Sequence, residues 1–591
     1  MAVARRLAAL AAGAVKAETA DAADAVQPLI AAHRRVFPGA DAGLLRRAYA
    51  VADHWHSGQV RKSGAPYITH PLAVAILLAD IGMDTTTLVA ALLHDTVEDT
   101  GLTIGEVKAE FGAEVAVLVD GVTKLDGSKW GDHAEGETFR KMILAASIDL
   151  RVLVIKLADR VHNLRTLGHH PKREKRERIA RASMELLVPF AQRLGLYEYQ
   201  RELEDLAFAT LSPEAYGRVA ALVKRTEADR DAALGELIAG MHTELAAAGV
   251  RAQVEARTRH LYSIHHGLPG GGGGWISGAG AAAGAGDVAG VPLRPTEAAR
   301  VVVVVDGAEA DCYIALGVLH GRWQPVDDRF RDYISMPKYN MYRSLHTAVL
   351  AGGEPVGVLI RTQAMDAVAT YGVAARIREA GGRDGKVTAD LARRADLDWL
   401  DRLLAWQPLA APGDFLEGLR ADLSQGIVVF TPDGAPVKLP AESTAVDFAY
   451  AVSPATAGSA VGVLVNGMRK PMENRLSHGQ VVDLITGPYA DPPDSWLAAA
   501  HSGHARAHLK AAIARRKGEE AAALGRAAVA KALSAGDAGR ELRDMEDDGT
   551  AFSAARRLGF TDLDALYEAI GLEQVSAPGF LADLGIGVPQ G

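Results

Sequence analysis

A glycine-rich segment divides this sequence into regions whose apolar residues follow different patterns. Gly270–Gly274 is an unbroken glycine run, and a mixture of alanine and glycine continues to residue 290. Such a composition cannot bury a hydrophobic core, so we expect a flexible insertion over 267–290. The 591 residues are also too many for one core, since domains hold about 100–200 residues each. We therefore predict a multidomain protein.

The regions on either side of this insertion differ in predicted secondary structure. Before it, apolar residues recur at the three- and four-residue spacing of amphipathic helices. After it, the run Val301–Val305 predicts a buried strand, and a helix through Cys312 and a second strand at 356–360 follow. The predicted domains are an all-α domain at 26–212, an α/β domain at 213–390 that opens with one long helix over 213–250, a helical linker at 391–424, a small β-rich domain at 425–488 and a helical region at 489–591.

The charge balance and the cysteine content exclude several classes of protein. Carboxylates outnumber lysines and arginines by 73 to 64, which argues against a uniformly basic nucleic-acid binder. The single cysteine, Cys312, excludes an intramolecular disulfide framework and fits a reducing cytosol. No apolar run reaches the roughly 18–20 residues of a membrane span. The run at 7–15 is too rich in alanine and glycine for a signal peptide, so we expect a cytoplasmic protein.

Imidazole and carboxylate groups recur at helical spacing in the predicted all-α domain. The candidate metal ligands are His70, His94, Asp95 and Asp159. Glu98 and Asp99 follow His94 and Asp95 by one helical turn, so on a single helix they would share a face with them and handle water. Nitrogen and oxygen donors without thiolates suit Mn, Fe or Zn ions. The alternative is an exposed histidine–aspartate pair, but an ionisable cluster in an apolar bundle is costly unless it is paired or metal-bound.

The order and spacing of these segments resemble the long RelA/SpoT-homologue enzymes, which make and degrade the alarmones ppGpp and pppGpp. The matching motifs are His56-Ser57-Gly58-Gln59, Arg61-Lys62-Ser63-Gly64 with Pro66-Tyr67 and His70-Pro71, His94-Asp95-Thr96-Val97-Glu98-Asp99, Gly121-Val122-Thr123-Lys124-Leu125, and Lys156-Leu157-Ala158-Asp159-Arg160 with His162-Asn163 and Arg165-Thr166. In that family this all-α domain is an HD-type pyrophosphohydrolase that removes the 3′-diphosphate with Mn²⁺. The resemblance therefore implies a metal-dependent phosphohydrolase.

The resemblance also implies a role for each matching residue. The implied metal ligands are His70, His94, Asp95 and Asp159. The implied water-activating pair is Glu98 and Asp99. The implied nucleotide contacts are Arg61, Lys62, Ser63, Lys124, Asn163 and Thr166. Ala65 stands where the family usually has glutamate, and we expect this difference to alter the loop beside the base and to leave the metal site unchanged.

The α/β domain resembles the synthetase domain of the same family, which transfers diphosphate from ATP to the 3′-hydroxyl of GDP or GTP. The matching segments include His260-Leu261-Tyr262-Ser263-Ile264, Arg329-Phe330-Arg331-Asp332-Tyr333, Tyr342 in the guanine-binding segment, and Ile360-Arg361-Thr362. Pro295 and Gly357 occupy the two positions where the family has the acids that hold Mg²⁺ and deprotonate the attacking hydroxyl. Glu297 replaces one of them only if the alignment shifts by two residues. The resemblance thus implies a degenerate synthetase with a nucleotidyltransferase-like fold.

Residues 425–488 resemble a TGS domain, a small β-grasp fold, in segments such as Phe430-Thr431-Pro432 and Val465-Asn466-Gly467. In the family this domain contacts tRNA ends at the ribosome through a histidine, and Ser453 stands at that position here. The resemblance therefore gives little support for a tRNA contact. We interpret the basic stretch 506–517 as a solvated helix face. Full-length relatives continue into Cys-rich and ACT-like domains, which this sequence, ending at Gly591, does not include.

The leading prediction is a cytoplasmic, Mn²⁺-dependent enzyme that degrades (p)ppGpp in the stringent response and has lost synthetase activity. Three alternatives remain at this point. They are a bifunctional synthetase/hydrolase, a phosphohydrolase of the same fold that acts on another nucleotide, and a non-catalytic regulator that senses nucleotides or ribosomes. The complete set of metal-ligating and water-activating residues argues against the regulator.

Overall fold

The computed structural model describes residues 25–123, 134–267, 297–338, 340–380, 398–424, 426–488, 491–535, 541–584 and 586. The predictions for Lys124, Pro295 and most of the glycine-rich insertion lie outside these residues. The chain splits into two compact units, Met1–Ala405 with Ala411–Ser424 and Trp406–Ala410 with Gln425–Gly591. Each unit is described by itself below.

The first part of the first unit is helical throughout, as predicted. Its α-helices are α1 (Gln27–Val36), α2 (Ala42–Trp55), α3 (Thr69–Asp80), α4 (Thr85–Leu93), α5 (Thr96–Asp99), α6 (Ile104–Phe111), α7 (Ala113–Val122), α8 (Ala134–Ile148), α9 (Arg151–Arg165), α10 (Arg173–Ala182), α11 (Val188–Arg193) and α12 (Tyr197–Leu211). Side-chain caps define several starts: Asp41 accepts from backbone amides at the start of α2, and Thr103 and Glu106 form a capping box on α6. Helix α4 is buried along its whole length, so it forms the centre of this bundle.

The predicted single helix over 213–250 was wrong. Two helices occupy this segment, α13 (Pro213–Arg225) and α14 (Glu227–Ala247), and Thr226 separates them. The Thr226 hydroxyl donates to the carbonyl oxygens of Leu222 and Val223, at 3.3 and 3.2 Å. A threonine that bonds back to the preceding turn competes with the helical backbone pattern, which explains the break.

The α/β region contains a mixed five-stranded sheet. The strands are β1 (Ala252–Thr258), β2 (Ala299–Val305), β3 (Arg331–Asp332), β4 (Leu345–Ala351) and β5 (Glu354–Thr362), in the order β1-β2-β5-β4-β3. Only β2 and β5 pair in parallel among these strands. The helices are α15 (Leu261–Gly267), α16 (Glu309–Arg322), α17 (Gln363–Tyr371) and α18 (Val373–Ala380). Both predicted strands and the predicted helix through Cys312 are present, and β2 is buried as its β-branched composition indicated.

Two glycines bring the α/β region against the helical domain. Gly372 has a φ of +52°, and a Cβ added there would lie 2.1 Å from the carbonyl oxygen of Leu194. The amide of Val373 donates to the same oxygen at 2.9 Å. Across the contact, a Cβ on Gly195 would lie 3.0 Å from the Cα of Gly372. No larger residue fits where the two backbones approach so closely. The helical and α/β regions of the first unit are therefore in direct backbone contact at this point.

Residues 398–424, which we predicted as a helical linker, pack against the helical domain. They form α19 (Asp398–Trp406) and α20 (Pro412–Leu423). The rings of Trp399 and Phe190 lie 5.8 Å apart, and Arg420 forms a 3.0 Å ion pair with Glu185. Residues 398–405 and 411–424 therefore belong to the first unit and 406–410 to the second, whereas the exact domain boundaries stay a prediction.

The second unit begins with the β-rich domain that the sequence predicted. It contains β6 (Gly426–Phe430), β7 (Pro436–Pro440), α21 (Ala445–Val452), β8 (Ala460–Val465), β9 (Met468–Lys470) and β10 (Val482–Thr486). The helices that follow are α22 (Ser495–Ala499), α23 (Gly503–Ala535), α24 (Leu542–Asp547), α25 (Thr550–Arg557), α26 (Leu563–Gly571) and α27 (Ala577–Asp583). Ser453 follows α21 as its C-cap. Throughout the described part of the chain, every helix is too short or too polar to cross a lipid bilayer.

The basic stretch 506–517 lies on α23, as predicted. Arg515 is 3.4 Å from Asp491, and Arg516 pairs with Asp494. Arg506 donates to the carbonyl oxygens of Leu497 and Ala500. At least three arginines of this stretch therefore form ion pairs or hydrogen bonds with other residues of the second unit.

Candidate active site

A buried ion-pair network joins α9, which carries Asp159, to α4, which leads into His94 and Asp95. Arg151 begins α9, and its guanidinium donates to the carboxylates of Asp84, at 3.0 Å, and Asp149, at 2.6 Å. Asp84 is in turn the N-cap of α4. All three residues are buried. Because breaking a buried pair costs about 3–5 kcal/mol, this network holds the starts of α4 and α9 together.

The polar residues after α4 do not continue one helix, which corrects our prediction. Helix α4 ends at Leu93, His94 is its C-cap, and the short α5 begins at Thr96. The Thr96 hydroxyl donates to the carbonyl of Leu93 at 2.6 Å, and Nδ1 of His94 lies 2.7 Å from the carbonyl oxygen of Ala91. These two side chains therefore form hydrogen bonds with carbonyl oxygens that the backbone leaves unpaired at the end of α4. The amide of Asp99 nevertheless bonds to the carbonyl of Asp95 at 2.8 Å.

The four predicted ligands meet in one buried cluster. Nε2 of His70 lies 3.4 Å from Oδ2 of Asp95 and 3.2 Å from Oδ1 of Asp159. Nε2 of His94 lies 3.1 Å from Oδ1 of Asp95 and 3.8 Å from Oδ1 of Asp159. The ligand atoms of His70, His94 and Asp95 all lie within 4.8 Å of one another, which makes these three residues a candidate metal site.

The charges in this cluster strongly shift one another's protonation. Burial alone would lower the pKa of His94, but the carboxylates of Asp95 and Asp159 raise it to about 10. Burial opposes ionisation of Asp95 and Asp159, yet His94 and His70, with Lys156 beside Asp159, hold the pKa of both carboxyls well below the usual range. The protonated imidazole of His94 thus balances part of the charge of the carboxylates. A divalent cation would take over this role, because metal binding displaces protons from its ligands.

Three further side chains orient the cluster from outside. Nδ1 of His162 lies 2.7 Å from Nδ1 of His70. Lys156 donates to Oδ2 of Asp159 at 3.1 Å, and Asn163 donates to Oδ1 of Asp159 at 2.5 Å. Burial, helped by His70 and Arg61, lowers the pKa of His162 to about 4. A neutral His162 can accept a hydrogen bond from Nδ1–H of His70 and so leave Nε2 of His70 free to bind a cation.

Glu98 and Asp99, the predicted water-activating pair, lie beside this cluster on α5. Glu98 is half-buried and Asp99 is exposed. The Tyr67 hydroxyl lies 2.7 Å from Oδ2 of Asp99 and 3.0 Å from Oδ2 of Asp95. Burial and these two carboxylates raise the pKa of Tyr67, so its hydroxyl keeps its proton. The Tyr67 hydroxyl therefore contacts one carboxylate of the candidate metal site, Asp95, and one of the water-activating pair, Asp99.

The predicted nucleotide contacts that the structure describes lie on the turn before α3 and at the end of α9. Arg61 donates to Oδ1 of Asn163 at 3.3 Å, which joins the two segments. Lys62 and Ser63 are exposed on the turn, and Gly64 closes it with a φ of +86°. Thr166, the C-cap of α9, donates to the carbonyl of His162 at 3.2 Å. Asn163 also bonds to Asp159, so Arg61 is linked to the buried cluster, and a polyanion could bind beside it.

The predicted remnant of a synthetase site is rich in cations. The Tyr342 hydroxyl lies 2.8 Å from Nε2 of His346, and the ammonium of Lys338 lies 5.1 Å from the centroid of the Tyr342 ring. Burial, Lys338, Arg300 and Arg361 lower the pKa of His346 to about 2, and burial and Arg300 lower that of Lys338 to about 8. The pocket is thus positively charged and suited to an anion.

Gly357 lies on β5 beside this pocket. A Cβ added there would lie 3.7 Å from Cγ of Arg300, so a side chain would fit. Glu297, the possible substitute for a missing acid, is exposed, and its carbonyl oxygen accepts from Arg259 at 3.2 Å. The structure therefore places glycine, and no carboxylate, at this position of the sheet.

Sequence reasoning assigned no role to Tyr67, His162 or Gln59, although all three lie within the quoted motifs. Gln59 joins the site by donating to the backbone carbonyl of Asp99 at 3.2 Å. The available signal was position: Tyr67 precedes His70 by three residues, and His162 follows Asp159 by three. Asp159 and His162 lie on one side of α9 because residues three apart on a helix share a face, whereas Tyr67 lies on the turn before α3 and no helical spacing relates it to His70.

Comparison with known proteins matches four families along the chain. They are the HD domain over residues 48–197, the region found in RelA/SpoT proteins over 295–381, the TGS domain over 427–486 and the RelA/SpoT AH domain over 512–579. The last of these was not predicted as a domain from the sequence.

Several curated proteins are similar over nearly the whole chain. A "Probable GTP pyrophosphokinase" of Mycobacterium leprae is 42% identical over 581 residues, which are 97% of this chain and 71% of that protein. The "Bifunctional (p)ppGpp synthase/hydrolase RelA" of Mycobacterium tuberculosis is 44% identical over 93% of this chain and 73% of its own length. The "Bifunctional (p)ppGpp synthase/hydrolase SpoT" of Escherichia coli is 38% identical over 89% and 72%. With this identity and coverage, and with the HD, RelA/SpoT, TGS and AH regions in one chain, the protein belongs to the RelA/SpoT family.

Proposed function

We propose that this protein is a (p)ppGpp 3′-pyrophosphohydrolase that releases diphosphate and leaves GDP or GTP. The observation that carries the proposal is the buried cluster of His70, His94, Asp95 and Asp159 with Glu98 and Asp99 beside it. In the reaction, water adds to the phosphorus attached to the ribose 3′-oxygen, the bond from that phosphorus to the 3′-oxygen breaks, and the 3′-oxygen gains a proton. The printed names of the relatives, which include (p)ppGpp hydrolase, support this substrate.

We assign the four clustered residues as ligands of Mn²⁺. Their donor set of two imidazoles and two carboxylates fits a divalent ion of this type. Nε2 of His94 is buried and faces Oδ1 of Asp95 at 3.1 Å and Oδ1 of Asp159 at 3.8 Å, so a cation could bind among these three atoms. When bound, the cation would supply a Lewis acid that acidifies water and offsets phosphate charge. The four proposed ligands would fix the position of the cation. His162 in turn orients His70, and Lys156 and Asn163 orient Asp159.

Glu98 and Asp99 handle the proton in this proposal. Both carboxylates lie on α5 at the edge of the buried cluster, where an attacking water and the leaving 3′-oxygen would meet. A carboxylate in this place can take the proton from water and return it to the leaving oxygen. The exposed position of Asp99 lets protons exchange with solvent.

Substrate binding falls to polar residues of the helical domain. We assign Arg61, Lys62, Ser63, Lys124, Asn163 and Thr166 to nucleotide contacts. Arg61 and Lys62 carry charges that would offset phosphate charge, and charge-assisted bonds are the strongest available to them. Arg61 is already held by Asn163, so its guanidinium needs little reorganisation to bind.

We further propose that the α/β region has lost synthetase activity. Gly357 supplies no carboxylate on β5, where the resemblance places an acid, and the sequence has Pro295 at the second acidic position. Tyr342, Lys338 and His346 can still bind a nucleotide, but binding alone does not lower the barrier to transfer. The second candidate is a bifunctional enzyme, which the printed names of the relatives favour.

We place the reaction in the cytoplasm, on the ground of the single cysteine. The TGS region gives the protein a potential partner in the tRNA or the ribosome. Since Ser453 replaces the histidine of the family motif, we expect that contact to be weak in this chain.

Incubation of the purified protein with ppGpp, GTP or NADPH, each with and without Mn²⁺, tests this proposal. We expect diphosphate release from ppGpp only, and only with the cation. Release from GTP or NADPH in place of ppGpp would indicate a phosphohydrolase with another substrate. No release from any nucleotide would favour a regulator. In a separate incubation with ATP, GDP and Mg²⁺, formation of ppGpp would favour the bifunctional enzyme.

A further inference from the structure

The Tyr67 hydroxyl lies between a candidate metal ligand and a candidate water-activating carboxylate. Its oxygen is 3.0 Å from Oδ2 of Asp95 and 2.7 Å from Oδ2 of Asp99. A phenol has one hydrogen to donate, and an ionised carboxylate only accepts. Tyr67 can therefore make a full hydrogen bond to one of the two carboxylates at a time.

The position of this hydroxyl is fixed from several sides. The Tyr67 ring stacks on His56, with centroids 4.5 Å apart and planes 24° apart, and the Arg61 guanidinium lies 5.2 Å from the ring centroid. The backbone amide of Tyr67 donates to the carbonyl of Gln59 at 3.0 Å. The side chain of Gln59 donates to the backbone carbonyl of Asp99 at 3.2 Å. Tyr67 and Asp99 are thus held by the same residue.

The surroundings of the two carboxylates decide which one receives the hydrogen. Asp95 is buried and has Nε2 atoms of His70 and His94 at 3.4 and 3.1 Å, so its charge is offset without the phenol. Asp99 is exposed, and its contact with Tyr67 is the shorter of the two. The hydrogen bond from Tyr67 therefore goes to Asp99.

We propose that Tyr67 is a positioning residue for Asp99, a role that rests on the hydrolase function proposed above. By donating to Oδ2, it fixes the orientation of the carboxylate, so that Oδ1 is left to face the attacking water. Without the hydroxyl, an exposed aspartate would rotate among several rotamers, because nothing else described here bonds to its carboxylate. Asp95 and the metal ligands would be little affected.

The test compares Tyr67→Phe, Asp99→Asn and the double variant with the unaltered chain. Phenylalanine keeps the ring that packs on His56 and Arg61 and removes only the hydroxyl. We expect kcat for ppGpp to fall about 10- to 100-fold, the worth of one hydrogen bond to a charged group. KM and the Mn²⁺ affinity, measured by titrating metal-free protein, should each stay within about threefold. In the Asp99→Asn background the same change should cost less than about threefold, because the partner is already altered.

Tyr199→Phe is the matched control. The Tyr199 hydroxyl is buried in the same domain and has no hydrogen-bond partner within the described residues, so its removal should leave kcat unchanged. Thermal unfolding of each variant checks that the fold is retained. If Tyr67→Phe unfolds, Tyr67→Trp, which also lacks the phenol oxygen, is measured in its place.

Three results would contradict this role for Tyr67. An unchanged kcat would mean that the hydroxyl does not act in the reaction. A parallel loss of Mn²⁺ affinity and kcat would mean that it serves Asp95. A full effect that persists in the Asp99→Asn background would mean that it does not act through Asp99. The failure of the proposed function itself is a different result: the unaltered chain would release no diphosphate from ppGpp.

Discussion

The helical domain and the α/β region both bury charged side chains, but they balance these charges in opposite ways. In the helical domain, imidazoles alternate with carboxylates, and the pKa of His94 is raised to about 10. In the α/β region, cations lie near other cations, and the pKa of His346 is lowered to about 2. A cluster of the first kind can hold a divalent cation, whereas a cluster of the second kind can only attract an anion. This difference in charge balance supports our proposal that the helical domain catalyses the reaction and that the α/β region only binds.

The carboxylate that does lie beside the second pocket supports this contrast. Asp366 pairs with Arg361 at 2.7 Å and with Arg257 at 2.9 Å. These two arginines, with burial opposing them, lower the pKa of the Asp366 carboxyl. Asp366 is therefore committed to ion pairs, while Asp95 and Asp159 face imidazoles that a cation can share.

The largest effect is expected from removing a proposed metal ligand of the helical domain. Asp159→Ala should abolish hydrolysis of ppGpp together with Mn²⁺ binding, because Asp159 contacts both imidazoles. The loss should exceed the roughly 10- to 100-fold that removal of an outer-sphere partner costs. Bound metal and diphosphate release are measured on the same preparation. Asp120→Ala is the matched control, since Asp120 pairs with Lys141 on the surface of the same domain. Retention of Mn²⁺ by Asp159→Ala would exclude Asp159 as a ligand.

The next effect separates proton handling from metal binding. Glu98→Gln should keep bound Mn²⁺ and lower kcat by about 10²–10⁴-fold, the contribution of a general base. His94→Ala should instead lose the metal. Metal content and single-turnover rates distinguish the two variants. The opposite pattern, with metal lost from Glu98→Gln and kept by His94→Ala, would show that our division of roles is wrong.

A smaller effect is expected from the residue that orients His70. His162→Asn should weaken Mn²⁺ affinity by about 10- to 100-fold, since outer-sphere partners of ligating histidines contribute this much. Saturating Mn²⁺ should restore most of the activity, because His162 touches His70 and not the water-activating pair. His169→Asn, which changes an exposed histidine of the same domain, is the control. An unchanged affinity would mean that the 2.7 Å contact does not orient the ligand.

The smallest effect is expected from returning an acid to the second region. Gly357→Glu has room, but the new carboxylate would lie beside the Arg300 side chain and pair with it. Pro295→Asp together with Gly357→Glu should also recover little synthesis, because reacting groups must be held to within about 0.5 Å. Formation of ppGpp from ATP and GDP with Mg²⁺ is the measurement. Substantial synthesis by the double variant would show that the pocket is otherwise intact.

The sequence predicted the helical domain, two of the five strands of the mixed sheet (β2 and β5) and the clustering of the four proposed ligands. These features depend on local periodicity and on short spacings, such as the three residues between Lys156 and Asp159. The break after Leu93 was not predictable in this way, because it depends on side chains that bond to carbonyls at the helix end. The break at Thr226 has the same kind of cause.

The contacts of Tyr67 and His162 were also beyond sequence reasoning. Tyr67 meets Asp95 across 28 residues of chain, and His162 meets His70 across 92. Such pairs follow from how helices pack, which periodicity alone does not determine. The charge balance of the α/β pocket was hidden for the same reason, since Arg300 and His346 come from different strands and converge only in the folded sheet.

The contrast between the two regions is tested most directly by assaying ppGpp synthesis in a variant that cannot degrade the product. Labelled ATP and GDP with Mg²⁺ are given to the Glu98→Gln/Asp99→Asn variant, and the unaltered chain is assayed in parallel for diphosphate release from ppGpp with Mn²⁺. We predict release by the unaltered chain and no labelled ppGpp from the variant, because the α/β region lacks a carboxylate at Gly357. Accumulation of labelled ppGpp would contradict the account and make this protein a bifunctional enzyme.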